Sequence, residues 1–178
     1  EMAATPEMTD LALKVAPDIV TLVPESPEEI TTEGGLNVIE QAEAVELALH
    51  GLFGARIAAS LFIDPDRNQI EMAAGMGVQA IELNTAAYAE TVPLGLAEWE
   101  KGFCAELRKL TESATRAAEK GLRVLAGHGL TYRNVRPVSN IPEVEELNIG
   151  HNIVSRAVLV GMERAVSEML EAMNAAAG

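Results

Sequence analysis

Five short apolar runs, each parted from the next by a longer stretch of helical periodicity, decide what this chain can fold into. They cover residues 18–23, 57–63, 80–83, 122–126 and 146–149, and they are rich in Val, Ile and Leu. Residues 6–15, 36–49, 66–76, 96–120 and 152–173 carry the helical patterns. In the first, Thr5 suits the N-cap and Pro6 the first helical position. In the fourth, Leu96, Trp99, Phe103, Leu107, Leu110 and Ala114 recur every three or four residues, and the pattern stops at Gly121. The last repeats this spacing with Val154, Ala157, Val158, Ala165, Met169 and Met173. Strand–helix alternation of this kind predicts an α/β protein with a parallel sheet, one domain over 1–178. A doubly wound sheet is the alternative. It gathers its site at a single switch point, whereas here residues with chemistry end nearly every run. The prediction is therefore a (β/α)₈ barrel present in part, since a closed barrel needs eight strands.

The composition limits the partners. Aromatic residues are scarce, so the core is built from aliphatic side chains. A formal net charge of −14 with no basic patch argues against nucleic acid and against an anionic membrane surface. No apolar run reaches membrane-spanning length, and no signal peptide is visible. A single cysteine, Cys104, excludes an intrachain disulfide and fits a reducing cytoplasm; on its helix it reads as inert packing. The chain opens at Glu1 without an initiator methionine and has the look of a portion of something longer.

Two glycine–histidine motifs follow the last two runs: Ala126-Gly127-His128-Gly129-Leu130-Thr131-Tyr132 and Glu146-Leu147-Asn148-Ile149-Gly150-His151. Barrels of this class often hold phosphate with the loops after their last two strands and a helix N-terminus. Glycine lets backbone N–H groups approach an anion, and histidine donates a hydrogen bond or moves a proton. Against that stand a packed, hydrogen-bonded His128 and a plain tight turn at Gly150-His151. Glu82 lies within Ala80-Ile81-Glu82-Leu83, so period-2 geometry turns Ile81 and Leu83 toward helices and Glu82 into the barrel. Desolvation there should raise its pKa, which suits proton transfer; a structural ion pair is the plainer alternative. Thr31-Thr32-Glu33-Gly34-Gly35 suits a phosphate-contacting loop or an ordinary turn. Asp64-Pro65 reads as an N-cap followed by proline at the first helical position. The Glu-rich faces at Glu40, Glu43 and Glu46 and at Glu163, Glu168 and Glu171 read as solvated surface. No lysine is placed to form a Schiff base, and no metal-ligand spacing is present. These tools suit proton transfers on a phosphorylated keto compound, with neither metal nor organic cofactor.

With those motifs in view, the chain resembles the pyridoxine 5′-phosphate synthase family. The matching runs are Leu22-Val23-Pro24-Glu25, Thr31-Thr32-Glu33-Gly34-Gly35-Leu36, Ser60-Leu61-Phe62-Ile63-Asp64, Ile81-Glu82 and the two glycine–histidine motifs, all collinear. The resemblance implies a (β/α)₈ barrel of which this chain supplies the end of strand three through helix eight. It implies a transferase-type enzyme of vitamin B6 synthesis that joins 3-amino-2-oxopropyl phosphate to 1-deoxy-D-xylulose 5-phosphate and releases phosphate and water. By the same analogy Glu1 is a general base, Glu82 a second carboxylate and His128 a proton donor. Thr31, Gly129, Gly150 and His151 hold the phosphorylated molecules. Family members assemble as homo-octamers. The family commonly has His and Gly where this chain has Asn84 and Ala86. It also draws an Asn, an Asp-His pair, arginines and a catalytic His from two earlier strands that have no counterpart here, so the chain is expected to be a portion of a longer polypeptide and, taken alone, insoluble or inactive. Another phosphate-binding barrel, an isomerase or lyase, is the rival enzyme; a barrel fragment kept as a scaffold is the non-enzymatic rival.

Overall fold

The strands β1 (Ile19–Leu22), β2 (Ala58–Ile63), β3 (Ala80–Asn84), β4 (Arg123–Gly127) and β5 (Val144–Asn148) form one parallel sheet in the order of the sequence. The computed structural model describes residues 1–24, 34–91 and 100–174, and side chains outside 100–104. Parallel neighbours need a crossover, which helices supply along the chain. In register, Leu22 faces Leu61, Leu61 faces Ile81, Ile81 faces Val124, and a register shift separates Val124 from Leu125 where β5 joins. The backbone of Met2 runs parallel beside β1: its N–H donates to the Thr21 carbonyl, and the Val23 N–H donates to its carbonyl, both at 3.0 Å.

Alternation along the strands divides the sheet into two chemically different faces. Val20, Leu22, Ala59, Leu61, Ile63, Ile81, Leu83, Val124 and Ala126 point to the helical side and are buried. Together with Val45, Leu49 and Leu52, Ile70 and Ala73, and Leu110, Ala114 and Ala117 from the covering helices, they form the core. The other face carries Thr21, Glu82, Asn84, Arg123 and Asn148. Ile81 and Leu83 thus pack as expected, and Glu82 lies on the opposite face.

The helices repeat the expected order with several differences. α1 (Pro6–Val15) begins as predicted, with the Met8 N–H bonded to Thr5 Oγ1. The pattern over 36–49 becomes a helix only from residue 42, α2 (Ala42–Gly54). Leu36 and Val38 are buried ahead of it because the connection itself is tied down: Leu36 N–H donates to the Phe62 carbonyl and Val38 N–H to Gln69 Oε1. α3 (Arg67–Gly75) is capped by Asp66, which accepts from the N–H groups of Asn68 and Gln69. The expectation that Asp64 caps this helix, with Pro65 at its first position, is therefore wrong. Two one-turn helices, α4 (Ala86–Glu90) and α6 (Val135–Ser139), are too short to register as periodicity. α5 (Glu100–Glu119) lays Leu107, Leu110 and Ala114 on the core; Leu96 and Trp99 lie outside the described residues, as do the side chains of Phe103 and Cys104. β5 begins two residues earlier than its apolar run and ends at Asn148.

The single helix expected over 152–173 is two, α7 (His151–Val160) and α8 (Met162–Asn174), broken at Gly161 with φ +85°. Glycine holds that backbone without a Cβ penalty, and its N–H closes the turn on the Ala157 carbonyl. The two helices differ in burial: α7 buries none of its residues and leaves Val154 and Val158 exposed, while Ala165 and Met169 of α8 are buried. Glu168, expected to be solvated, receives Arg156 Nε at 2.7 Å and Arg164 Nε at 2.8 Å, which hold its carboxyl down at about 2. Among the described residues no helix is long and apolar enough to cross a membrane.

Candidate active site

The polar face of the sheet is the wall of a cavity of about 990 Å³ that runs along the strands to their C-terminal ends. Glu1, Glu82, His128, Gly129, Gly150 and His151 all line it. Six of the seven residues singled out from the sequence therefore share one concavity. The seventh, Thr31, lies outside the described residues, with Thr32 and Glu33.

Glu82 is 5% exposed and receives Asn148 Nδ2 on Oε2 at 2.7 Å. Desolvation pushes its carboxyl up to about 7; the Asn148 hydrogen bond opposes this, and the charges of Glu1 and Glu146 add to it. Near neutral pH such a group holds and releases a proton with comparable ease. Its place also depends on Gly127, because a Cβ there would lie 2.4 Å from Glu82 Oε1 and 2.9 Å from the Asn148 carbonyl oxygen.

Beyond β4 the chain turns sharply. His128 has φ +82°, a left-handed conformation that costs a β-carbon-bearing residue about 1–2 kcal/mol, and Gly129 follows at φ +75°. The imidazole lies against Phe62, with ring centroids 6.1 Å apart at 50°. Side chains from neighbouring segments hold the turn. Thr85, fully buried at the end of β3, donates its N–H to the Gly127 carbonyl at 2.8 Å, and its hydroxyl reaches the carbonyls of both Gly127 and His128. Asn134 donates Nδ2 to the Gly129 carbonyl and accepts from the Thr131 N–H. Tyr88, its phenol raised by burial and so kept protonated, donates to the Asn134 carbonyl at 2.7 Å.

After β5, Gly150 is the N-cap of α7; it has no side chain to cap the first N–H groups of this ten-residue helix, and it lines the cavity together with His151 and Asn152. The helix dipole adds to the attraction of an anion there. Asp64, at the end of β2, is a hub and not a helix cap. Its Oδ1 accepts from Asn84 Nδ2 and from the Gly35 N–H, each at 2.9 Å, and Asn84 Oδ1 accepts from the Ala86 N–H. Asn84 thus keeps a bonding role at the position where the resemblance leads one to expect His.

The arrangement offers proton-transfer groups and anion-binding amides at the ends of parallel strands. A family model for pyridoxal phosphate biosynthesis protein PdxJ matches residues 1–175. The chain belongs to this family. Similar PdxJ relatives include a pyridoxine 5′-phosphate synthase from a Cyanothece strain, 55% identical over 173 residues, covering 97% of this chain and 70% of the relative. Enzymes of the same name from Aliivibrio fischeri and Opitutus terrae are 51% and 48% identical, covering 95% and 98% of this chain and 67% and 68% of the relatives. The chain thus spans about two thirds of the length of these relatives. Among solved structures, the crystal structure of an Amycolatopsis orientalis BexX/CysO complex is similar in fold alone, with a TM-score of 0.56 at 13% identity over 96% of this chain and 63% of that one.

The PdxJ motifs expose their end-of-strand residues to sequence reasoning; the supports between them stay hidden. Gly127 stands in the quoted motif just past the apolar run, but nothing in the motif shows that the fold brings the Glu82 carboxylate against it. Asn148 sits in the quoted motif but carries no signal that it bonds Glu82 across 66 residues. Thr85 and Tyr88 act through contacts 42 to 46 residues away, which no local pattern encodes.

Proposed function

We propose that this chain carries the catalytic carboxylate and histidine for the ring-closing condensation of 3-amino-2-oxopropyl phosphate with 1-deoxy-D-xylulose 5-phosphate that pyridoxine 5′-phosphate synthases perform. The observation that carries this is the meeting of Glu82, His128, Gly129 and the α7 N-terminus on one cavity. Glu82, with its carboxyl at about 7, takes and returns protons during condensation and aromatisation. Glu1, across the same cavity, serves as the general base, and its charge helps keep Glu82 protonated at rest. His128 donates a proton to a leaving oxygen. The amides of Gly129, Gly150 and His151 hold a phosphate; the part assigned to Thr31 by the resemblance lies outside the described residues. No cofactor is required, because every step is a proton transfer, an addition or an elimination.

In this proposal the sheet is part of a (β/α)₈ barrel, with residues 1–178 one domain of it. Sequential parallel order, the Met2 bridge beside β1 and the polar concave face support the barrel. Assembly with further copies of itself belongs to the same proposal, and sedimentation tests it.

The deciding assay is release of inorganic phosphate from the two substrates together, with neither substrate alone reacting. Glu82→Gln and His128→Asn should each reduce turnover by about 100-fold or more. Phosphate release unchanged in both variants would overturn the proposal.

A further inference from the structure

We infer that Thr85 is a positioning residue for His128, holding the imidazole over the cavity by clamping the backbone beneath it. The inference rests on the role proposed for His128. Three observations carry it. His128 keeps φ +82° although it has a Cβ, so something must fix a conformation its own backbone disfavours. Thr85 is fully buried, and both its N–H and its hydroxyl are spent on this turn: the N–H on the Gly127 carbonyl, the hydroxyl proton shared between the Gly127 and His128 carbonyls. Gly127 is also where the backbone passes so close to the Glu82 carboxylate that no side chain fits.

One hydroxyl therefore fixes two consecutive peptide units, one abutting the carboxylate and the other bearing the imidazole. Without it, the Gly127 carbonyl retains the Thr85 N–H and β4 stays paired with β3. The His128 carbonyl loses its clamp, and the residue is free to relax toward negative φ, which swings the imidazole off Phe62. That change weakens proton delivery while leaving the phosphate-holding amides after β5 where they are.

Thr85→Val keeps the shape and removes the hydroxyl; Thr85→Ser restores it. Both are compared with the unaltered protein in steady-state kinetics and in nitrogen-15 spectra of histidine-labelled protein without substrates. The sequence contains three histidines, so the His128 ring signals can be assigned by substitution. Thr85→Val should lower kcat by about ten-fold or more with a smaller change in KM, since the Gly129 amide shares the freed peptide unit while the amides after β5 stay in place. Its His128 ring signals should shift or broaden while those of His50 stay. Thr85→Ser should recover kcat to within about three-fold and return the His128 signals. If Thr85→Val does not fold, Thr85→Ala provides the same comparison. An unmoved His128 signal and an unchanged kcat in the hydroxyl-free variant overturn the inference. Absence of phosphate release from the unaltered protein would instead defeat the proposed reaction, and the spectra would still decide the clamp.

Discussion

The position a Cβ of Gly127 would occupy is 2.4 Å from Oε1 of Glu82, so at this point of their pairing the strand leading to His128 has room beside the carboxylate for a glycine alone. Gly127→Ala forces the carboxylate, or the Asn148 backbone behind it, to move. Overpacking of this kind should cost about 1–3 kcal/mol in chemical unfolding. Turnover should fall by about 100-fold, because the proton-transfer group is displaced. Combining it with Glu82→Ala should cost less than the sum of the two single changes, by more than about 0.5 kcal/mol, since the second removes the atom being struck.

Glu82 should make stability depend on pH in a definite direction. Its folded carboxyl titrates at about 7 against an ordinary 4.5, so the folded chain binds the extra proton across that window. Stability from this group is therefore undiminished below the ordinary value and declines as pH rises through 7. Glu82→Gln removes the buried charge and should stabilise the protein at pH 8 by up to about 3 kcal/mol, with little difference at pH 4. Thermal melts at the two pH values, run beside turnover assays, should show a more stable and inactive protein.

Asn148 works against desolvation by donating to the ionised carboxylate. Replacing it with Ala removes that donor, so Glu82 should hold its proton to higher pH still. The limb of the kcat/KM profile governed by Glu82 should move up by about one pH unit. A limb that stays put would assign it to another group.

Inorganic phosphate should find the mouth of the cavity. Titration followed by amide resonances should move Gly129, His151 and Asn152 together. Gly129→Ala should weaken binding by about ten-fold: it places a β-carbon at φ +75°, 2.7 Å from Ala89 Cβ. Movement confined to residues far from the α7 N-terminus would contradict the anion site.

Glu168 ties α8 to α7 through Arg156, and with Arg164 of its own helix this pairing holds its carboxyl down at about 2. Being depressed, this group stabilises the folded chain above the ordinary carboxylate range and loses that contribution as pH falls toward 2. Glu168→Gln should speed hydrogen exchange of the α7 amides at neutral pH, and its difference from the unaltered protein should narrow from about pH 5 downward.

The alternation of strands with helices, four of the five expected helices and the turn of Glu82 away from the core face were legible because each follows from a repeating spacing: two for strands, 3.6 for helices. The family resemblance, carried by the glycine–histidine motifs, was legible as well. What stayed hidden falls into two physical kinds. Leu36 and Val38 imitate a helix start because side chains buried by a tied-down connection are as apolar as those buried by a helix. Val154 and Val158 imitate a core stripe because an apolar spacing shows that a helix has a face to cover, not whether the sheet covers it; no residue of α7 is buried. Asp64 and Glu168 were assigned from their nearest neighbours in sequence, whereas their partners come from elsewhere: Asn84 and Gly35 for the first, Arg156 across the helix break for the second.

The two-faced sheet separates what a substitution can alter. Exchange Leu61 or Ile81 for another aliphatic of equal bulk, and the expected penalty is mechanical, with the reaction untouched. Exchange Thr21, Asn84 or Asn148, and the scaffold should survive while the chemistry is rewritten. Alternate positions of the same strand thus answer mainly to different demands, and an engineer retuning the reaction would start from every second residue, keeping Gly127 and Glu82 for last because they answer to both.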